Sequence, residues 1–342
     1  MDALDASVTV DLLAMYRRAA RDIEADILAA AGAGAVVRLE ALQQLLAQVN
    51  GRLSALETAR NSLLNTNLDA AARLGAQPFA GVGIDTARIA GEAADAVQSL
   101  VAADKLQLSD RIWRIDRGAR EQVARAIESA VIQGHSADQA VREFLGRGQA
   151  VPAELAAKVG AAAPGGLARA TGAALLRDED NAYFKAERVF RTELNRAHGL
   201  AYEAGAAQTP GAIGLQFLLS PAHPRPDQCD LHASANLYGL GRGIYPFGRS
   251  PWPAHPNTLS YQVIVFEDEV TDADREGRES ALDWLGAQDA ATQTSVLGGR
   301  AKRAALVAGV LKESDIRVPW QELKARYARR GVDVDALARG GA

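Results

Sequence analysis

Ser220-Pro-Ala-His-Pro-Arg-Pro-Asp-Gln-Cys-Asp-Leu-His232, Tyr238-Gly-Leu-Gly-Arg-Gly-Ile-Tyr-Pro-Phe-Gly248 and Pro251-Trp-Pro-Ala-His-Pro256 follow one another between two short apolar runs, Gly214-Leu-Gln-Phe-Leu-Leu219 and Tyr261-Gln-Val-Ile-Val-Phe266. The runs carry β-branched and aromatic residues and read as strands. The Pro- and Gly-rich segment between them suits neither a regular helix nor a central strand, because proline brings no amide hydrogen and glycine no side chain to pack. The only cysteine and four of the five histidines lie between Ala197 and Asn257. A long loop of distinct composition, held between two strands, is where function or a dedicated structural device is expected.

On the N-terminal side the pattern is helical. Leu12, Tyr16, Ala20, Ile23 and Ile27 recur at helical spacing from about Val8 to Ala31. Leu39, Leu42, Leu46, Val49, Leu53, Leu56 and Leu63 follow a heptad spacing, with Arg60 in the one slot where an apolar residue is expected. Such a seam seeks a partner helix, either within the chain or in a second copy, so self-association through Leu39–Leu63 is one expectation. A helix resumes near Asp85. A later one, through Ile127 and Val131, is expected to stop at Gly134, with Ser136 capping a short helix to Phe144. Residues 147–180 read as a surface linker or short helices. Asp180 to Ala206 is a strong helix whose middle reads Phe190-Arg-Thr-Glu-Leu-Asn-Arg-Ala-His198. Glu193 and Arg196 are three residues apart and can pair along a helix surface; catalytic use of Glu193 or His198 is the competing reading.

Beyond Phe266 an acidic run leads back to helices, with Pro319-Trp320 opening the last one. From Arg300 to Arg330 nine basic residues face three acidic ones. Arg300, Lys302 and Arg303 are therefore candidates for contact with DNA or an acidic protein surface, set against an ordinary solvated helix face.

Composition narrows the function classes. A formal net charge of -4 excludes a generally basic nucleic-acid-binding surface. One cysteine excludes an intrachain disulfide. The acidic N-terminal residues do not resemble a signal peptide, and no uninterrupted apolar run is long enough for a transmembrane helix, so no membrane contact is expected. The fold class expected is α+β, mostly α-helical. A helical arm with the heptad segment covers 1–110, a helix-rich domain with a small sheet and the Pro/Gly-rich loop 111–270, and a C-terminal helical region 271–342.

The chemistry concentrates in the loop. Cys229 and His232 have the C-x-x-H spacing that lets a turn present sulfur and imidazole to one ion; His255 is a third ligand candidate and Asp227 or Asp230 a fourth. Two readings stand side by side, zinc ligation by Cys229, His232 and His255, and a metal-free knot of hydrogen bonds. A third, an enzyme with Cys229 as nucleophile and His232 or His255 as base, lacks a complete constellation. The phosphate-loop, zincin and nucleophile-elbow patterns are absent from the sequence.

Arg191-Thr-Glu193 with Arg196-Ala197, the strand, Asp227-x-Cys229-x-x-His232, Gly241 to Gly243, Pro253-Ala-His-Pro256 and the strand at Tyr261 to Phe266 come in an order that resembles the phage head morphogenesis family, typified by the Mu F-like minor head proteins. The resemblance covers about residues 115–310. Relatives often follow His-Pro with Cys-x-Cys, where this chain has Asn257 and Leu259. The resemblance implies a minor structural protein of a tailed-phage head, made in the host cytoplasm and built into the virion. Its partners would be the portal and major capsid proteins, with packaged DNA as a further one. It implies structural roles for Arg191, Glu193, Arg196, Asp227, His255 and Pro256, no enzymatic activity, and no cofactor unless zinc is bound. The alternative is a metal-dependent hydrolase or toxin-like enzyme built on Cys229, His232 and His255.

Overall fold

A computed structural model describes residues 1–32, 36–101, 105–177, 181–221, 223–255, 258, 260–333 and 336–337. The fold is α+β and mostly helical, with thirteen α-helices and one three-stranded antiparallel sheet among the described residues. The chain forms two compact units, Met1–Ala71 with Gly91–Ala197, and Ala72–Ala90 with His198–Ala342.

The first unit is built on long helices. Helix α1 (Asp2–Ala31) buries Val8, Leu12, Tyr16, Ala19, Ile23 and Ile27 along one stripe, and Gly32 ends it at positive φ. Helix α2 (Leu42–Ala76) buries Leu42, Leu45, Val49, Leu53, Leu56, Arg60, Leu64 and Leu68. The seam is therefore real but shifted. Leu39 is exposed in a short 3-10 turn ahead of the helix, while Leu46 and Leu63 sit at the flanks. The seam is covered within the chain. Arg52 of α2 pairs with Asp26 of α1. On its other flank, Glu57 meets Arg120 and Arg60 meets Asp116, both from a helix running Leu108–Gly146. The buried side chains of the seam thus meet partners within the chain, the first of the two expectations.

Arg60 is the unexpected member of this core. Only 1% exposed, it gives Asp116 two guanidinium contacts, the Nη2–Oδ2 one at 2.9 Å, and reaches Asn61 Oδ1 at 2.9 Å. It also bonds the buried Tyr16 hydroxyl. Burial alone would lower the Arg60 pKa; the Asp116 carboxylate and Tyr16 outweigh it and raise it, so the cation is fixed.

Helix α3 (Thr86–Ser99) buries Ile89, Ala90, Ala93, Ala94 and Val97, whereas Ala96 and Leu100 face outward. Helix α4 (Leu108–Gly146) passes straight through Gly134 and Ser136, contrary to the expected stop. Ser136 Oγ donates to the Ile132 carbonyl and caps nothing. Gly134 is there for space: a Cβ on it would lie 2.0 Å from Ala162 Cβ, on helix α5 (Ala153–Ala162). Gly118 in the same helix has no neighbour within 4 Å of such a Cβ. Gly134→Ala is therefore expected to destabilise the protein by about 1–3 kcal/mol through overpacking. Gly118→Ala should stabilise it by about 0.5–1 kcal/mol through helix propensity. Chemical denaturation of both variants checks the pair, and equal signs would refute the crossing-point role of Gly134.

Of the two readings of residues 147–180, short helices hold where the stretch is described, and they are packed. Helices α5 and α6 (Pro164–Gly172) and a π-turn, Ala173–Arg177, pack against α1 and α4 and bury Ala162, Leu167 and Leu175. Helix α7 follows (Ala182–Ala206); Asp180, its expected start, lies outside the described residues.

In the second unit, β1 (Ala212–Leu218) is the central strand, flanked by β2 (Ile244–Pro246) and β3 (Tyr261–Phe266). The register pairs Leu215 with Tyr245 on one side and with Ile264 on the other. The Pro/Gly-rich segment is more regular than its composition suggests. It contributes edge strand β2, where Pro246 loses no ladder bond that matters, and helix α8 (Gln228–Ser234). Leu215 packs with Phe79 and Ala206, and Phe217 packs with Cys229, Tyr245 and Trp252. A separate C-terminal core joins Leu231 to Trp284, Leu285, Val296, Leu297, Leu311, Ile316, Leu323 and Tyr327. Its helices are α9 (Asp272–Glu276), α10 (Ala281–Gly286), α11 (Ala290–Leu297), α12 (Arg300–Val307) and α13 (Trp320–Ala328). Thr271, Ser280 and Asp289 cap the first three through side-chain oxygens.

Candidate functional site

Two side-chain constellations account for most of the candidate residues, one in each unit. In the first unit Glu193 is only 2% exposed and lies between two guanidinium groups, with Arg111 Nη1 at 2.7 Å and Arg196 Nε at 2.8 Å. The expected Glu193–Arg196 pair exists, but buried and bridged to α4, not spread along a surface. Arg191 turns to Asp5 of α1 at 3.1 Å and to Glu187 at 3.3 Å. Thr192 Oγ1 donates to the Arg188 carbonyl. Arg191 and Glu193 thus join α7 to α1 and α4, while Thr192 bonds within α7. His198, counted with the second unit, stacks on Tyr202, and burial lowers its pKa to about 4.

In the second unit the loop closes on itself. Asp227 is the N-cap of α8: its Oδ1 accepts from the Cys229 amide at 2.6 Å, while Asp230 Oδ2 accepts from the Asp227 amide at 2.7 Å. This capping box starts a helix within the Pro-rich run. His223 Nε2 lies 2.9 Å from Asp230 Oδ2, tying the preceding loop to the same box. His255 arrives from the far side. Its Nε2 lies 3.1 Å from Cys229 Sγ and 3.1 Å from Asp227 Oδ2. Thr258 Oγ1 completes the group, 3.4 Å from Cys229 Sγ.

The segment carrying His255 is anchored on three sides. Trp252, next to the cis peptide bond to Pro253, packs on Phe217 with ring centroids 5.6 Å apart. A Cβ on Gly199 would lie 2.1 Å from Trp252 Cδ1, so only glycine leaves room for the indole. Arg317 Nη2 donates to the Ala254 carbonyl at 3.2 Å and to the Pro251 carbonyl at 3.4 Å. Pro256 lies outside the described residues.

The C-x-x-H spacing does not bring His232 to this cluster. His232 lies on α8 but faces Tyr245, with Nδ1 2.9 Å from the phenolic oxygen, and stands against Phe217. Burial, and then the Arg317 charge, lower its pKa to about 3, so the ring stays neutral. Burial correspondingly raises the pKa of the Tyr245 hydroxyl. The ligand set Cys229, His232 and His255 is corrected to Asp227, Cys229 and His255, whose donor atoms lie within 4.8 Å of one another. His223, Asp227 and Asp230 form a second such group that shares Asp227. Burial would raise the Asp227 pKa, but His255 and the Cys229 amide prevail and hold it at about 2.

A nucleophile–base–carboxylate relay needs one ring nitrogen for the thiol and the other for the carboxylate. Here a single nitrogen serves both, and Cys229 is 1% exposed. The arrangement has the geometry of a knot or a ligand cluster, and not of a relay.

The basic C-terminal candidates divide. Lys302 is 5% exposed and donates to the Ile316 carbonyl, so it is a structural residue and no contact for DNA or a partner. Arg303 is half-buried, with Nε donating to Gln293 Oε1 at 3.3 Å. Arg326 pairs with the buried Asp315. Arg300, Arg329 and Arg330 are exposed.

The neutral state of His232 has a measurable consequence. The unfolded chain takes up this proton near pH 6.5 and the folded chain only near pH 3, so the contribution to stability is complete above pH 6.5 and is lost as pH falls from there towards 3. By pH 4.5 the loss is on the order of 2–3 kcal/mol for His232 alone. Thermal unfolding across pH 4.5–7.5 should show it, and His232→Phe should flatten the profile. An unchanged profile would mean that His232 is not held neutral.

The chain matches no protein-family model, no curated protein and no solved structure. Among the described residues no helix is long and apolar enough to cross a membrane.

Proposed function

We propose that this chain is a minor structural protein of a tailed-phage head, docking on the portal or the inner capsid and assisting head assembly or DNA delivery. The observation that carries the reading is the way the resembling pieces are used. Arg191 and Glu193 are spent on joining helices, with Arg196 paired to Glu193, and Asp227, Cys229 and His255 on closing a loop between β1 and β3. Side chains of catalytic type are thus employed as fasteners, which suits a module that presents a fixed surface to a partner. Contact with packaged DNA, if the chain makes it, falls to the exposed Arg300, Arg329 and Arg330 and not to Lys302.

The test is co-expression with the portal and major capsid proteins of the same source, followed by sedimentation and mass spectrometry of the particles. Co-migration with heads or portals in a low, fixed ratio is the expected result. A chain that stays apart while particles assemble normally would overturn the proposal.

A further inference from the structure

The Asp227–Cys229–His255 group contains more than a knot requires. Three donors of different chemistry, a carboxylate oxygen, a sulfur and an imidazole nitrogen, converge from α8 and from the anchored loop after Trp252. His255 Nε2 stands 3.1 Å from both Cys229 Sγ and Asp227 Oδ2. Donors about 3.3–3.8 Å apart are the edges of a tetrahedron with metal bonds of about 2.0–2.3 Å; both His255 distances lie within a few tenths of an ångström of such an edge, and all three donors lie within 4.8 Å of one another. That nitrogen has one hydrogen or one lone pair to share between two neighbours, whereas a cation in the same place serves all three donors together. We propose that Asp227, Cys229 and His255 bind one divalent cation of the zinc type, with a solvent molecule as fourth ligand.

The surroundings favour this assignment. Asp227 Oδ1 is held by the Cys229 amide, which leaves Oδ2 turned to His255. Arg317 fixes the carbonyls on either side of Pro253, and with them the approach of His255. Such outer contacts orient ligands before the ion arrives. The Asp227 and His255 side chains are 31% and 30% exposed, so the ion has a way in and a place for water. The sulfur sits at the closed end, with Cys229 almost fully buried. Sulfur with nitrogen and one carboxylate selects zinc or cobalt over magnesium or calcium, which take oxygen ligands. His232 has no part in it, since its ring nitrogens are not among the donor atoms that converge here.

The proposal is independent of the role in a phage head, and its test does not use assembly. Full-length protein freed of metal by chelation is titrated with Zn²⁺ by calorimetry and with Co²⁺ by absorption. One ion per chain is expected, with a thiolate-to-cobalt band in the near ultraviolet and visible bands of four-coordinate strength. Cys229→Ser should lose the charge-transfer band, and Cys229→Ser and His255→Ala should each weaken binding by about tenfold or more. Asp227→Asn, which keeps an acceptor for the Cys229 amide, should weaken it while circular dichroism stays unchanged. His232→Phe should leave stoichiometry and spectrum as they were. Wild-type protein that is folded and takes up neither ion would overturn the proposal, whatever the variants do. So would an unchanged spectrum in folded Asp227→Asn, or loss of binding in folded His232→Phe.

Discussion

Arg60→Ala should cost about 3–5 kcal/mol of stability, the typical result of removing one partner of a buried ion pair. Arg60 lies on the buried seam of α2, between Tyr16 of α1 and Asp116 of α4. Removing it leaves a carboxylate and a phenol facing a cavity lined by apolar side chains. Asp116→Asn should cost a comparable amount, since it strands a guanidinium that is 1% exposed. Replacing the pair together, Arg60→Met with Asp116→Leu, should recover most of the loss, because the ion pair itself contributes little net stability over apolar packing. Urea denaturation of the singles and the double variant gives the coupling directly. Additive losses would show that the two charges do not depend on each other. A recovered double variant raises the question of what the charges are for. An ionic contact in an apolar seam penalises every other register of α2 against its neighbours, as a single polar core residue does in coiled coils.

The second large effect is expected at Glu193. Glu193→Ala leaves Arg111 and Arg196 without their shared carboxylate in a partly buried space, and should cost about 3 kcal/mol. Glu193→Gln keeps one acceptor oxygen and should cost less. Arg111→Met in the Glu193→Ala background should restore part of the loss, since it removes one of two repelling cations. Thermal melts of the three proteins decide the matter. Full stability in Glu193→Ala would mean that the two arginines are already satisfied elsewhere, and that the carboxylate is held for chemistry.

The helical stripe of α1 is legible because residues at 3.6-residue spacing meet one neighbouring surface from end to end. The seam of α2 is legible only as a period. A heptad template drifts by about 20° per heptad from a straight helix, so Leu45 and Leu64 are buried in place of Leu46 and Leu63. Arg60 looks like a defect in that pattern, because its partners Tyr16 and Asp116 lie far away in sequence. Gly134 looks like a helix stop for the same reason: the helix that needs its missing side chain, α5, comes later in the chain.

At the site, the concentration of chemistry between Ser220 and Pro256 is plain from composition, and its division of labour is not. A Cys-x-x-His pair can share an ion in a turn or, at i and i+3, along one face of a helix, so the spacing does not say which partner each side chain meets. Once Asp227 caps α8, Cys229 meets His255 and His232 meets Tyr245. His223, Thr258 and Arg317 leave no spacing signature, since each reaches the group from a separate segment. The positive bias after Arg300 shows only that cations are present. Lys302 and Arg326 are consumed inside the C-terminal core, as a count of charges cannot show.

The interleaving of the two units sets an order of events at the ribosome. Ala72–Ala90 belongs to a unit whose remaining residues begin at His198. Phe79 is translated early, yet the residues it packs with, Tyr202, Ala206 and Leu215, emerge only after the whole stretch of the first unit between them. At about 5–20 residues per second the delay is on the order of ten seconds. For that time an aromatic side chain stays uncovered, open to neighbouring nascent chains. The second unit therefore cannot form domain by domain as synthesis proceeds. It closes in a late step, and the temperature and rate of expression should govern how much of the chain reaches it.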